Sequence, residues 1–114
     1  MQVHYLEIVT QEVDATCKVY SQLHGATFGA ADPILGNART AELANGGMMG
    51  VRAPMNGAEE PVVRPYLLVE AIEVAAATAV EAVGELAHPS MEIPGHGKFA
   101  IYIQGGIHHG LWQL

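Results

Sequence analysis

The chain has 114 residues, enough for one domain with a hydrophobic core that needs no disulfide staples. Half of the residues are hydrophobic and 15% are charged, and no apolar run approaches the roughly 20 residues of a bilayer-spanning helix. The formal charge is -7, and the basic residues Lys18, Arg39, Arg52, Arg64 and Lys98 are scattered, so the basic stripe of a nucleic-acid-binding protein is missing.

Val3 to Val9 reads as a buried strand, and Glu12 to His24 as a helix in which Val13, Cys17, Tyr20 and Leu23 recur at helical spacing. Gly25 ends it as a left-handed cap. Short strands are expected at Thr27 to Ala30, Arg39 to Ala44 and Met48 to Arg52, the last two joined by a hairpin at "NGG". Residues 54–62, rich in Pro, Asn, Gly and Glu, read as a linker. A strand then runs from Arg64 to Val69 and a helix from Glu73 to Val83, closed by Gly84. Further strands follow near Glu85 to His88, from Lys98 to Gln104 and from Ile107 to Gln113. The N-terminal "MQVHYLEIVT" lacks the basic start and apolar core of a signal peptide, and one cysteine makes no internal disulfide, so a cytoplasmic protein is expected.

The order of elements repeats. "HGATF" at 24–28 overlies "VGELA" at 83–87, and "ANGGMMGV" overlies "IQGGIHHGL" with one insertion, both at an offset near 59 or 60. The chain therefore reads as one α+β domain of two βαβββ modules, about 1–53 and about 63–114, around the linker. Their sheets are expected to join into a curved mixed sheet with helices outside and a cavity inside, the shape of a ligand cup.

"YLEIVTQEVDATCKVYSQLHGATF", the long segment "PYLLVEAIEVAAATAVEAVGELAHPSMEIPGHGKFAIY" and the terminal "GLWQ" resemble the vicinal oxygen chelate superfamily, the glyoxalase, bleomycin-resistance and extradiol dioxygenase group. The resemblance spans nearly the whole chain and implies the paired-module fold. It does not imply one reaction, because that superfamily includes lyases, isomerases, epimerases, dioxygenases, thiol transferases and metal-free drug-sequestering proteins. Its metal-dependent members are expected to bind a divalent ion through His, Glu or Gln on the first and last strands of each module. Those positions fall here on Tyr5 and Arg64, and on Gly50 and Gly110. Arginine is cationic, glycine has no side chain, and a phenol is an uncommon ligand, so no metal and no other cofactor is expected. The chain also has "IQGGI" where the superfamily commonly has an Asp-Pro-x-Gly turn.

Strand parity places the candidates. Adjacent residues point to opposite faces, so His108 and His109 do not chelate one ion. With Gly110 facing the cavity, His108 and Trp112 share its face, and His109 and Leu111 look toward the helices. His109 is then expected to be a partly buried, hydrogen-bonded histidine under a helix. On the first strand, Tyr5, Glu7 and Val9 face the cavity, with His4, Leu6 and Ile8 on the helix side. A carboxylate at Glu7 requires a partner or water. An ion pair with Arg64 is one reading; a general base, making Glu7 the candidate catalytic residue, or a polar ligand anchor is another. Cys17 is expected in the core, and one of Met48 and Met49 with it, while Met48, Met49 and Met55 together could line an adaptable pocket. "IPGHGK", with His96, suits a turn or flap; a strand follows it, so it lacks the helix N-terminus of a phosphate cradle.

The reading that results is a metal-independent, sequestration-type binding protein, expected as a homodimer. It holds a small organic ligand in a cup lined by Tyr5, Glu7, Arg64, Tyr66, His108 and Trp112. The alternative is a metal-dependent lyase, isomerase or dioxygenase, with His4 or His109 brought inward by a one-residue slip of the first or last strand.

Overall fold

The computed structural model describes the backbone of residues 1–114 and every side chain except that of Val83. Two helices and seven strands make an α+β chain, divided into one compact unit of Tyr5–Val63 and a second of Met1–His4 with Arg64–Leu114. Strand β1 (Val3–Val9) changes unit between His4 and Tyr5.

In the first unit, β1 leads into helix α1 (Val13–His24), then β2 (Arg39–Glu42) and β3 (Met48–Arg52). Gly25, with φ 67°, ends α1 in the left-handed conformation and donates its N–H to the Ser21 carbonyl, as its place after the apolar stripe implies. β3 lies between its partners, parallel to β1 and antiparallel to β2. One face of these strands carries Leu6, Ile8, Ala41, Met49 and Val51, which pack with Cys17, Val13 and Tyr20 of α1. Cys17 and Met49 are thus core residues, and burial pushes the Cys17 thiol above its ordinary range, away from a nucleophile's. Met55 is exposed.

Thr27 to Ala30 does not form the strand expected there. The Gly29 N–H donates to the Thr40 carbonyl at 2.9 Å, and the Gly29 carbonyl accepts from the Arg39 side chain at 3.0 Å, but no ladder forms. The reason lies just beyond, where Asp32 accepts from the Ile34 N–H and starts a 3-10 turn at Pro33–Leu35, followed by Gly36 and Asn37 at positive φ. The chain doubles back through the isolated Asp32–Ala38 bridge before a ladder can extend.

The second unit contains β4 (Val62–Leu68, from Arg64 on), helix α2 (Ile72–Val83), β5 (Leu86–Ile93), β6 (Gly97–Gln104) and β7 (Ile107–Gln113). Its strand order is β4-β7-β6-β5, with β4 and β7 parallel and the remaining pairs antiparallel. α2 lacks a side-chain N-cap of its own, but the Gln113 amide oxygen accepts from the Ile72 N–H at 2.8 Å. The helix buries Ile72 and Ala76 against Ala100 and Leu111. Ile72 here and Val51 in the first unit are both 0% exposed, and full burial of such a side chain contributes about 1.5–3 kcal/mol.

"IPGHGK" is the β5–β6 hairpin turn. The His96 N–H donates to the Ile93 carbonyl, and the Trp112 indole donates to the His96 carbonyl at 3.0 Å. Gly97 has φ 115°, and a Cβ there would overlap the Gln113 carbonyl oxygen. Gly97→Ala is therefore expected to cost about 2–3 kcal/mol in urea unfolding, combining backbone strain with a clash. Gly46→Ala, also at positive φ but opening onto free space, should cost about 1 kcal/mol. Equal losses would show that packing against Gln113 does not constrain the turn.

Candidate functional site

Each unit presents one face to its own helix, and the candidate residues lie on the other. In the first unit that face is set by Glu7, which pairs with Gly50 in the ladder. Tyr5, two residues back, lies across Gly50: a Cβ at position 50 would come within 2.6 Å of the phenol Cζ and overlap its oxygen. In the second unit Tyr66 pairs with Gly110, and a Cβ at 110 would approach the Tyr66 ring to 2.5 Å. The two glycines at the expected last-strand ligand positions are thus occupied by tyrosine rings. Tyr5, Arg64, Gly50 and Gly110 do not fit a divalent ion, and among the described residues no three His, Cys, Asp or Glu side chains cluster as a metal site.

Glu7 is buried, and the structure supplies a partner that sequence reasoning missed. Arg52 donates from Nε to the Glu7 carboxylate at 2.9 Å, and from Nη1 and Nη2 to both oxygens of Glu59 at 2.7 Å. Glu59 also accepts the Met55 N–H at 2.8 Å, while the Asn56 side chain accepts from Ala58 and Glu59, so the carboxylate organises the linker around the guanidinium. The bidentate Glu59 bonds, opposed by burial and aided by Glu7, hold Arg52 well above the ordinary arginine range. Arg52 was legible from parity, because it stands two residues from Gly50 and so shares its face. Glu59 sits in an aperiodic segment with no such signal.

The corresponding face of the second unit is aromatic. Trp112 meets Tyr66 edge-on at 5.8 Å between ring centroids, Tyr66 meets Phe99 edge-on at 6.2 Å, and Phe99 lies 4.8 Å from the His88 ring. His4 lies at the other end, 5.7 Å from Trp112. Trp112 stands opposite in parity to Leu111, which packs under α2. His109 conforms to expectation. It is half-buried, stacks on Tyr102 at 4.9 Å, and its Nε2 lies 3.3 Å from the Gln104 carbonyl, with Tyr102 packed against the α2 core.

Five of the six expected cup residues, Tyr5, Glu7, Arg64, Tyr66 and Trp112, are only 2% to 9% exposed, whereas His108 is exposed. Accessible aromatic surface on the second unit's face belongs instead to the half-buried Phe99 and His88, neither of which the sequence singled out.

Two outcomes follow from this geometry. Arg52→Ala strands two carboxylates and should cost about 3–5 kcal/mol in chemical denaturation, while Glu59→Gln should cost only about 1–2 kcal/mol. Burial first, and His96 second, hold the His4 pKa below its ordinary 6.5. The unfolded chain therefore takes up this proton more readily, and stability should fall as pH drops from about 6.5 toward the folded-state value. Urea unfolding at pH 7.5 and pH 5 should show a smaller drop for His4→Phe than for the native chain. An unchanged drop would assign the pH dependence to other groups.

No protein-family profile and no curated protein sequence matches the chain. Solved structures do. Hypothetical protein BH1468 from Bacillus halodurans C-125 superposes with a TM-score of 0.77 at 11% identity, over 99% of this chain and 94% of that one. A variant of Streptomyces coelicolor methylmalonyl-CoA epimerase in complex with 2-nitronate-propionyl-CoA gives 0.69 at 13% identity, over 99% and 96%. A glyoxalase/bleomycin resistance protein/dioxygenase superfamily member from Vibrio splendidus 12B01 gives 0.70 at 10% identity, over 96% and 97%. The chain has the vicinal oxygen chelate fold of these proteins.

Proposed function

We propose that the protein binds a small organic molecule without a metal ion, in the manner of a sequestering protein. The observation that carries this reading is the aromatic run from Trp112 through Tyr66 and Phe99 to His88. Edge-on contacts orient the inner rings, and the outer pair remains half-buried, so a planar ligand would meet a face already ordered before binding. The buried rings serve as backing and the outer pair as contact surface. The tyrosines lying over Gly50 and Gly110 support the metal-free part. Arg64, in the same unit as the aromatic run and on the face of Tyr66, supplies charge for orienting polar groups. The same reading takes the protein as a cytoplasmic homodimer. Val19 and Leu23 on α1 and Val74 on α2 give exposed apolar surface to such an association.

Metal analysis after exposure to excess Ni, Zn, Fe or Mn should return substoichiometric metal. Near-stoichiometric metal, lost in His4→Ala or His109→Ala, would establish the metal-dependent lyase, isomerase or dioxygenase instead. In a thermal-unfolding screen of planar aromatic compounds, a true ligand at a hundred times its Kd should add about 2.7 kcal/mol of stability. A screen without stabilisation would remove the binding reading.

A further inference from the structure

His88 lies on β5, and the ladder around it is irregular in a specific way. Leu86 pairs with Tyr102, His88 with Ile101 and Met91 with Phe99, so β5 gains one extra residue on each side of His88. Bulges of this kind re-aim side chains and are enriched beside active sites. Here the ring lies tilted against Phe99, at 4.8 Å and 30°, although its ladder partner is Ile101. Pro89 is accommodated because β5 ends the strand order, where a missing N–H breaks no second ladder.

The ring is also fixed in tautomer. His88 Nδ1 lies 2.7 Å from the Pro89 carbonyl oxygen. A carbonyl only accepts, so Nδ1 carries the proton, and in the neutral ring Nε2 keeps its lone pair. A double bulge, a ring partner and a set tautomer thus converge on one half-buried side chain at the accessible end of the aromatic run. A histidine that only met solvent would require none of the three.

We propose that His88 is the polar anchor of the ligand face, accepting at Nε2 a hydrogen bond from an N–H or O–H donor on a planar aromatic ligand stacked beside Phe99. This rests on the binding reading above and adds to it the chemistry of the ligand: an aromatic ring with a donor at its edge.

The test compares 2-naphthol, which has the ring and the donor, with 2-methoxynaphthalene, which lacks the donor. Calorimetry at pH 8 should show the naphthol binding about five- to tenfold more tightly, as one net hydrogen bond implies. His88→Phe keeps an aromatic ring and removes the acceptor, so it should abolish the preference for naphthol over its ether. Nitrogen NMR of the native protein should show protonated Nδ1 and an Nε2 resonance that shifts with naphthol but not with its ether. That readout stands even if the variant fails to fold. Equal affinities in the native protein, a preference that survives His88→Phe, or an unmoved Nε2 resonance would overturn the anchor and leave the binding reading intact. If neither compound binds, both fall.

Discussion

A tyrosine laid across a glycine recurs in both units, and it governs what the rest of each sheet can do. Gly50 and Gly110 stand on strands where any side chain would collide with Tyr5 or Tyr66. The collision works in both directions: the glycine admits the ring, and the ring excludes a donor at the glycine's position. Once the phenol of Tyr5 fills that space, Glu7 lies beside a position that offers it no hydrogen bond, and its carboxylate is satisfied by Arg52, further along the neighbouring strand. In the second unit, the ring of Tyr66 over Gly110 is braced edge-on by both Trp112 and Phe99. Close packing transmits the constraint, because a filled position leaves its neighbours few arrangements.

The repeat makes the two solutions comparable. Glu7 and Tyr66 each stand opposite the glycine of their own unit, and Arg52 and Trp112 each follow that glycine by two residues. The first unit fills this pair of positions with ions and the second with aromatic rings. The ionic solution pulls in a third group, because one carboxylate does not use all the donors of a guanidinium. Glu59 takes one donor from each terminal nitrogen, the Ala53 carbonyl accepts another, and Glu59 shapes the linker while doing so. The aromatic solution packs ring edge against ring face, and the Trp112 indole donates to the His96 carbonyl. That bond ties the β5–β6 turn to β7. One unit therefore orders its linker electrostatically, and the other orders its hairpin through a buried indole.

Much of this was legible because strands and helices impose periods. Val13, Cys17 and Tyr20 of the α1 stripe, the glycine caps, the "NGG" and "GG" hairpins and the faces of Tyr5, Glu7, His109 and Leu111 all follow from spacing alone, whereas Leu23, expected on the same stripe, is exposed. What escaped notice departed from a period. Thr27 to Ala30 has strand composition, but the Asp32 turn diverts the chain. Glu59 works from a linker, and His88 is aimed by two bulges. A bulge adds a residue without a compositional mark, so alternation read through it assigns the wrong face. The candidate site was the harder part to read because its polar members sit at such interruptions.

The likeness to epimerases and to a glyoxalase-type protein at 10–13% identity rests on the same periods, and the chain itself shows why such likeness stops at the fold. Its two units share order and register, yet equivalent positions hold a carboxylate and a guanidinium in one, a phenol and an indole in the other. If one backbone pattern supports both within a single polypeptide, the pattern cannot specify which chemistry a more distant protein performs. A ligand encounters side chains, and in this protein those at the accessible end of the aromatic run are Phe99 and His88. Their arrangement depends on an irregular edge strand, the part of the fold that backbone likeness constrains least.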